Sequence, residues 1–363
     1  MARLVEPAIA SAVARRVAGT SGLDHSYLLD RLRADLGEAV PQAEKLVAEA
    51  SGIPAPPPVE WGLIDRATWA EANISSMTAL LNPIADKIGD RLERLPLAAK
   101  TAQRAVVSVE VGVLLGYVSR RVLGQYDLLV PEDDGSPEAR RRRKALPAGG
   151  AALYFVGPNL IETERRHGFV PRDFAMWVAL HEVTHRFQFE GVPWLRSHFL
   201  DLVKRYVDRV DIDAKGLAKR LRVAARRLAS KGVPPEERSP MYLLATEEQR
   251  VVLDEIQALM AVVEGHGNYV MDSVGESVIP SMRRMRFVFE KRREQVNLVQ
   301  RVISSTLGLE MKLKQYELGQ AFCEAAVRAA GPEVLARLWD GPEQFPTLAE
   351  LKSPELWLGR VAA

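Results

Sequence analysis

The sequence predicts a mainly α-helical protein with one small β element, an edge strand or a hairpin, beside a helix that carries two histidines. Three observations carry this expectation. Apolar residues recur every three or four positions along most of the 363 residues, and strand-like alternation is missing from nearly all of them. One short run, Ala152-Leu153-Tyr154-Phe155-Val156, has the apolar and aromatic content of a strand and stops at Gly157-Pro158-Asn159. Shortly after it, His181-Glu182-Val183-Thr184-His185 sits inside an otherwise apolar stretch.

Residues 1–50 read as a helical appendage, with helices over Ala8–Val17, Tyr27–Leu36 and Pro41–Ala50. The proline cluster at 51–58 cannot be helical and marks the clearest linker, leaving 59–363 as the main domain. Trp61–Leu92 continues as a helical pattern broken or kinked at Pro83. Leu95–Leu123 follows, rich in Val, Leu and Ala, with Gly112 and Gly116 spaced for close helix packing. Within it Glu110 reads as a buried carboxylate paired with an arginine. The acidic stretch Pro131–Pro137 and the five cations Arg140–Lys144 read as a solvated loop. Pro171-Arg172-Asp173 opens the next helix, with proline suited to a first turn, and Gly191-Val192-Pro193 closes it. Trp194–Leu228 is helical with a basic face, Gly232–Pro235 is a loop, and Thr246–Val274 is a long helix. Ser281–Trp339 is helical again, before a proline-punctuated tail. No internal repeat is visible.

The chemistry is concentrated in the helix that begins at Pro171. Two imidazoles four residues apart lie one turn above each other on one helix face, so His181 and His185 can reach a single ion. Glu182 can take a proton from a water on that ion. Phe174, Ala175, Val178, Leu180, Phe187 and Phe189 make this a buried helix, which has little reason to carry such polar groups unless they bind something. The bland alternative is a chance pentapeptide whose polar groups are satisfied inside an ordinary helix. Catalytic zinc takes three protein ligands and a water. Glu264, on a predicted helix whose other face is apolar, is the first candidate for the third. His266, two residues on, is its competitor, because one rigid helix points the two apart. Asn268, one turn after Glu264, is a candidate to orient a ligand histidine. Gly265 and Gly267 weaken the helix and offer room for another backbone or a ligand. Tyr269, Tyr316, His266 and Arg186 are candidates for stabilising an oxyanion. His25, His167 and His198 read as surface or supporting histidines. Two imidazoles and a carboxylate suit one Zn2+ per chain, with manganese or iron as alternatives.

Composition removes several classes. A formal net charge of +2 gives no case for nucleic acid or an anionic membrane. Cys323 is the only cysteine, which excludes an intramolecular disulfide and a cysteine zinc site and fits a reducing cytoplasm. The amino terminus lacks the apolar core of a signal peptide. Ala105–Val118 is too short to span a bilayer and reads as a core helix.

Four stretches together resemble a bacterial family of zincin-like, zinc-dependent metallopeptidases, some of whose members are labelled as associated with biosynthesis of a deazaflavin coenzyme. They are Val122-Leu123-Gly124-Gln125-Tyr126-Asp127; His181–His185 with Phe187-Gln188-Phe189; Glu264-Gly265-His266 with Val270-Met271-Asp272; and Leu307–Lys312 with Gln315-Tyr316. The similarity spans roughly residues 60–360 and implies a mostly helical zincin-like fold. Zincins with a glutamate ligand commonly place an acid four residues after it; Asn268 stands there instead. The metzincin pattern would need a histidine at Gly191 and a glycine at Gln188, so that class is disfavoured. In zincin peptidases a strand at the position of Tyr154–Val156 typically forms a cleft edge that pairs with extended substrate; a purely structural hairpin is the alternative. The resemblance implies no substrate; residues and resemblance together read as a soluble, cytoplasmic zinc hydrolase of a peptide or small amide, most readily a peptidase. The rivals are a non-catalytic zincin scaffold and a zinc hydrolase of a small amide or ester.

Overall fold

The computed structural model describes residues 4–57, 60–78, 96–129, 152–209, 240–294 and 309–361. They are mainly helical, as the spacing predicts, and form two compact units. The first is Met1–Leu46, Pro56–Arg186 and Ile279–Ser281; the second is Val47–Ala55, Phe187–Val278 and Met282–Ala363.

The first unit opens with α1 (Pro7–Ala18) and α2 (Tyr27–Ser51). The two helices expected over Tyr27–Leu36 and Pro41–Ala50 are one, with Pro41 inside it. Leu32, Leu36, Ala39, Val40, Ala43 and Val47 make an unbroken buried stripe through the proline. Pro41 lies on the exposed side, and so does Gly37, whose carbonyl is the one deprived of its N–H partner, so water can satisfy it. A short strand, β1 (Trp61–Ile64), replaces the start of the helix expected from Trp61, and residues 66–78 are helical as α3. Pro83 lies outside the described residues, as do Arg140–Lys144 and the loop at 232–235.

Helix α4 (Leu97–Ser119) packs along α1 by virtue of its two glycines. A Cβ on Gly112 would stand 2.5 Å from the Ala10 carbonyl oxygen, and one on Gly116 2.6 Å from that of Ala14. Glu110 is exposed rather than buried, because Ser108, Gly112 and Leu115 take the inward side of α4. Beyond α4, β2 (Gly124–Tyr126), β3 (Leu153–Val156) and β1 form a sheet in the order β1-β3-β2. The pair β1·β3 is parallel, in register Trp61↔Leu153, and β2·β3 is antiparallel, with Gly124 opposite Phe155. The strand at Leu153–Val156 is present where expected, but it is central, not an edge. Its four residues are all buried, as a continuous apolar run demands of a strand covered on both faces. Helix α5 (Gly157–His167) follows at once. Gly168, at φ 59°, closes it in a left-handed conformation and turns the chain into α6 (Pro171–Gly191), the helix of the paired histidines.

The division between units falls inside α6, after Arg186. The second unit continues with α7 (Leu195–Asp208), α8 (Pro240–Leu244), α9 (Glu247–Val278), α10 (Met282–Glu294) and α11 (Leu309–Ala330). A 3-10 helix, Pro332–Trp339, and two short helices, α12 (Leu348–Lys352) and α13 (Pro354–Val361), occupy the expected tail. Its core includes Phe322 edge-on to Trp357 at 5.1 Å. Among the described residues no helix is long and apolar enough to cross a membrane.

The glycines of α4 and α2 test this packing. Gly112→Ala should lower unfolding free energy by about 1–3 kcal/mol through overpacking against α1. Gly37→Ala, which meets no atom within 4 Å, should raise it by roughly 0.5–1 kcal/mol. Urea unfolding of the two variants checks both signs.

Candidate metal centre

Helix α6 carries an unusual load for its surroundings. Phe174, Ala175, Val178, Ala179, Leu180, Val183 and Phe187 are buried, and so are Glu182, Thr184, Arg186 and Gln188. Pro171 opens the helix, and Asp173 in its first turn accepts from the backbone N–H of Ser281 at 2.9 Å and its hydroxyl at 2.5 Å. Thr184 returns its hydroxyl to the Leu180 carbonyl at 2.7 Å. Arg186, wholly buried, donates to Glu44 at 2.6 Å and to the Pro57 carbonyl. It is therefore an ion-pairing residue rather than the oxyanion donor the sequence allowed for.

The two histidines behave differently. Their rings lie nearly perpendicular, at 80° with centroids 4.6 Å apart, and their Nε2 atoms face each other at 3.2 Å. Tetrahedral zinc with bonds of about 2.0–2.1 Å holds two ligand nitrogens about 3.3–3.4 Å apart. The pair is thus spaced as two ligands of one ion. Trp177, one turn earlier, lies parallel to the His181 ring at 6° and 6.4 Å.

Glu264 completes the group. One ligand atom from each of His181, His185 and Glu264 lies within 4.8 Å of the others. Its helix, α9, is tied to α6 by Gln188, three residues past His185. The Gln188 amide nitrogen donates to the Val263 carbonyl at 2.8 Å and stands 3.0 Å from His266 Nδ1. The carbonyl can only accept, so the amide NH2 is the group present, and its second hydrogen makes Nδ1 an acceptor. On its other side α9 meets α11 through two glycines: a Cβ on Gly265 would collide with the Gly319 backbone, and one on Gly319 with the Ala261 carbonyl. Gly265 thus makes room for another backbone, as expected.

His266 is 1% exposed, bound to Gln188 and set edge-on to Trp339 at 4.9 Å. It supports α9 from within, and among the described residues the group that could hold a metal ion is His181, His185 and Glu264, without it. Asn268 and Tyr269 are half-buried on the same helix. Burial, followed by the nearby Cys323, raises the Tyr269 hydroxyl above its ordinary pKa. Tyr316 lies on α11, and its side chain is outside the described residues. His198 packs edge-on to Trp194 at 5.6 Å, where burial lowers its basicity, and His167 stacks on Phe169 at 5.4 Å.

Glu182 is 7% exposed and turns to the sheet. Its side chain packs on Gly124 of β2, where a Cβ would stand 2.7 Å from Glu182 Cγ and 2.9 Å from Oε1. Tyr154 of β3 donates to Asp127 at 3.2 Å. Its hydroxyl is held well above its ordinary pKa by burial first, then by Asp127, with the Glu182 charge adding to the effect.

Gln188 and Gly124 are the residues that sequence reasoning missed. The available signals were an amide between two phenylalanines and the place of both residues in the stretches that carry the family resemblance. The arrangement can hold one divalent cation on two nitrogens and a carboxylate, with a second carboxylate adjacent in sequence to the first ligand.

Comparison with known proteins agrees in extent and character. The model of a family described as zincin-like metallopeptidase matches residues 5–358. Among solved structures, the chain is similar to the crystal structure of a "putative hydrolase with a novel fold" from Chloroflexus aurantiacus, with a TM-score of 0.69 and 29% identity over 99% of both chains. No curated protein matches.

Gln188→Leu should destabilise by about 1–3 kcal/mol, because it removes a buried donor to the Val263 carbonyl and His266 Nδ1. Urea unfolding measures the loss, and a variant as stable as wild type would remove Gln188 from this role.

Proposed function

The chain belongs to the zincin-like metallopeptidase family, and from that premise we propose that it is a zinc-dependent hydrolase of amide bonds, most readily a peptidase. His181, His185 and Glu264 hold one Zn2+, and Glu182 is the general base. The observation that carries the reading is the grouping of two imidazoles and a carboxylate within 4.8 Å on α6 and α9, with Glu182 next in sequence to the first of them.

When bound, zinc polarises the scissile carbonyl and acidifies the attacking water. The protein's own residues do the rest. Glu182 accepts the water's proton on its carboxylate and passes it to the leaving amine nitrogen. Burial of Glu182 and the ligand helix keeps bulk water from competing for that proton. Gln188 and the Gly265–Gly319 crossing fix the helix that presents Glu264.

A second reading, hydrolysis of a small amide or ester, draws support from β3. Because Leu153–Val156 is hydrogen-bonded on both sides, it offers no edge for an extended peptide. In either reading Glu182 is needed, whereas a scaffold that only binds metal would not need it.

Metal analysis by mass spectrometry, on protein purified without chelators or metal-affinity resin, is the first test. Wild type should carry one zinc per chain and His181→Ala none; absence of metal in wild type after zinc is restored would end the proposal. Glu182→Gln should keep its zinc and lose about 10²–10⁴-fold in turnover of a quenched fluorescent peptide library or a nitrophenyl ester. Which of those probes is hydrolysed separates the two readings, and an unimpaired Glu182→Gln would leave only a binding scaffold. Chelation should also lower the melting temperature of wild type, by an amount equivalent to about 2.7 kcal/mol where zinc stands at 100 times its Kd.

A further inference from the structure

Gly124 is a glycine in a strand, where glycine is a poor choice: it weakens the strand and packs nothing. Its backbone does not require it, since the positive-φ glycines among the described residues are Gly19, Gly52, Gly168 and Gly331. The requirement is space. An added Cβ would stand 2.7, 2.9 and 3.0 Å from Cγ, Oε1 and Cδ of Glu182, closer than carbon atoms tolerate.

The strand itself cannot retreat easily. The Val156 N–H donates to the Leu123 carbonyl at 2.8 Å and the Asp127 N–H to that of Ala152 at 2.7 Å, one bond at each end of β2. Gln125 exchanges hydrogen bonds with Asn73 at 3.2 and 3.3 Å. Asp127 receives the hydroxyls of Tyr154 and Ser76, both at 3.2 Å. Of the two partners in the contact, the strand is pinned by its hydrogen bonds, so the Glu182 side chain, met first at Cγ, is what an added Cβ must displace.

We propose that Gly124 is a positioning residue for Glu182: the bare backbone of β2 is the seat on which the carboxylate of the general base rests, and any side chain there displaces it from the reacting water. This deepens the functional reading and rests on Glu182 being the base. A displaced carboxylate still leaves His181, His185 and Glu264 untouched, so the expected defect is in the chemical step and not in metal content.

The test compares Gly124→Ala, Glu182→Gln, Glu182→Ala and the Gly124→Ala/Glu182→Ala double variant as zinc-loaded full-length protein. Gly124→Ala should lose about 10²-fold in kcat on the library peptide or nitrophenyl ester that wild type hydrolyses, the scale of a 1 Å misplacement, with KM and zinc stoichiometry unchanged. The thermal arm needs no substrate. Gly124→Ala should lower the melting temperature in the wild-type background, and leave it unchanged or raised in the Glu182→Ala background, where the obstructed side chain is gone. An equal drop in both backgrounds would overturn the seat. Wild-type kcat in Gly124→Ala beside an inactive Glu182→Gln would sink this assignment alone. Full turnover by Glu182→Gln would sink the general-base reading and this assignment with it.

Discussion

Helix α6 has to bury a carboxylate, a hydroxyl, a guanidinium and an amide within seven residues, from Glu182 to Gln188, beside two half-buried imidazoles, and a buried polar group without a partner costs more than most single contacts return. Much of the surrounding fold can be understood as the supply of those partners. Glu44 of α2 meets Arg186, the Leu180 carbonyl takes Thr184, and Val263 and His266 of α9 take Gln188. The histidines are the exception, because they are turned toward each other, and the geometry they adopt is that of ligands sharing an ion. The polar residues therefore fall into two sets. One anchors the helix to the fold, and the other is left facing a single point.

Close approach in this fold is achieved by leaving side chains out. Gly112 and Gly116 let α4 lie against α1, Gly265 and Gly319 let α9 cross α11 beside Glu264, and Gly124 lets Glu182 rest on the sheet. Each is a place where a methyl group would push packed elements apart, and at Gly265, Gly319 and Gly124 those elements carry Glu264 or touch Glu182. Dense packing transmits such displacements instead of absorbing them.

Much of this was legible in the residues. The histidine spacing, the apolar stripe of α6, the helix around Glu264 and the glycine pair of α4 are periodic signals, and each corresponds to an element of the fold. What was illegible depends on contacts distant in sequence. Trp61–Ile64 and Gly124–Tyr126 are four and three residues long, too short to show alternation, and exist as strands only because Leu153–Val156 lies between them. The same pairing turned an expected edge strand into a central one. Pro41 looked like a boundary because a local rule cannot see that its exposed side leaves the lost hydrogen bond to water. The contact that His266 makes inside the fold is with Gln188, seventy-eight residues away in sequence.

The crossing of Gly265 with Gly319 carries a consequence for how this protein can change over evolutionary time. Where two side chains collide, a larger residue on one helix is commonly rescued by a smaller one opposite. Here both partners are already at the lower limit of size, and what each would strike is main chain. No second substitution can restore the fit, and the remaining response is to move a helix, which carries Glu264 with it. The position beside Glu264 is therefore closed to gradual exploration. Divergence in what this centre acts on has to come from residues that line it, while the crossing behind the carboxylate stays fixed.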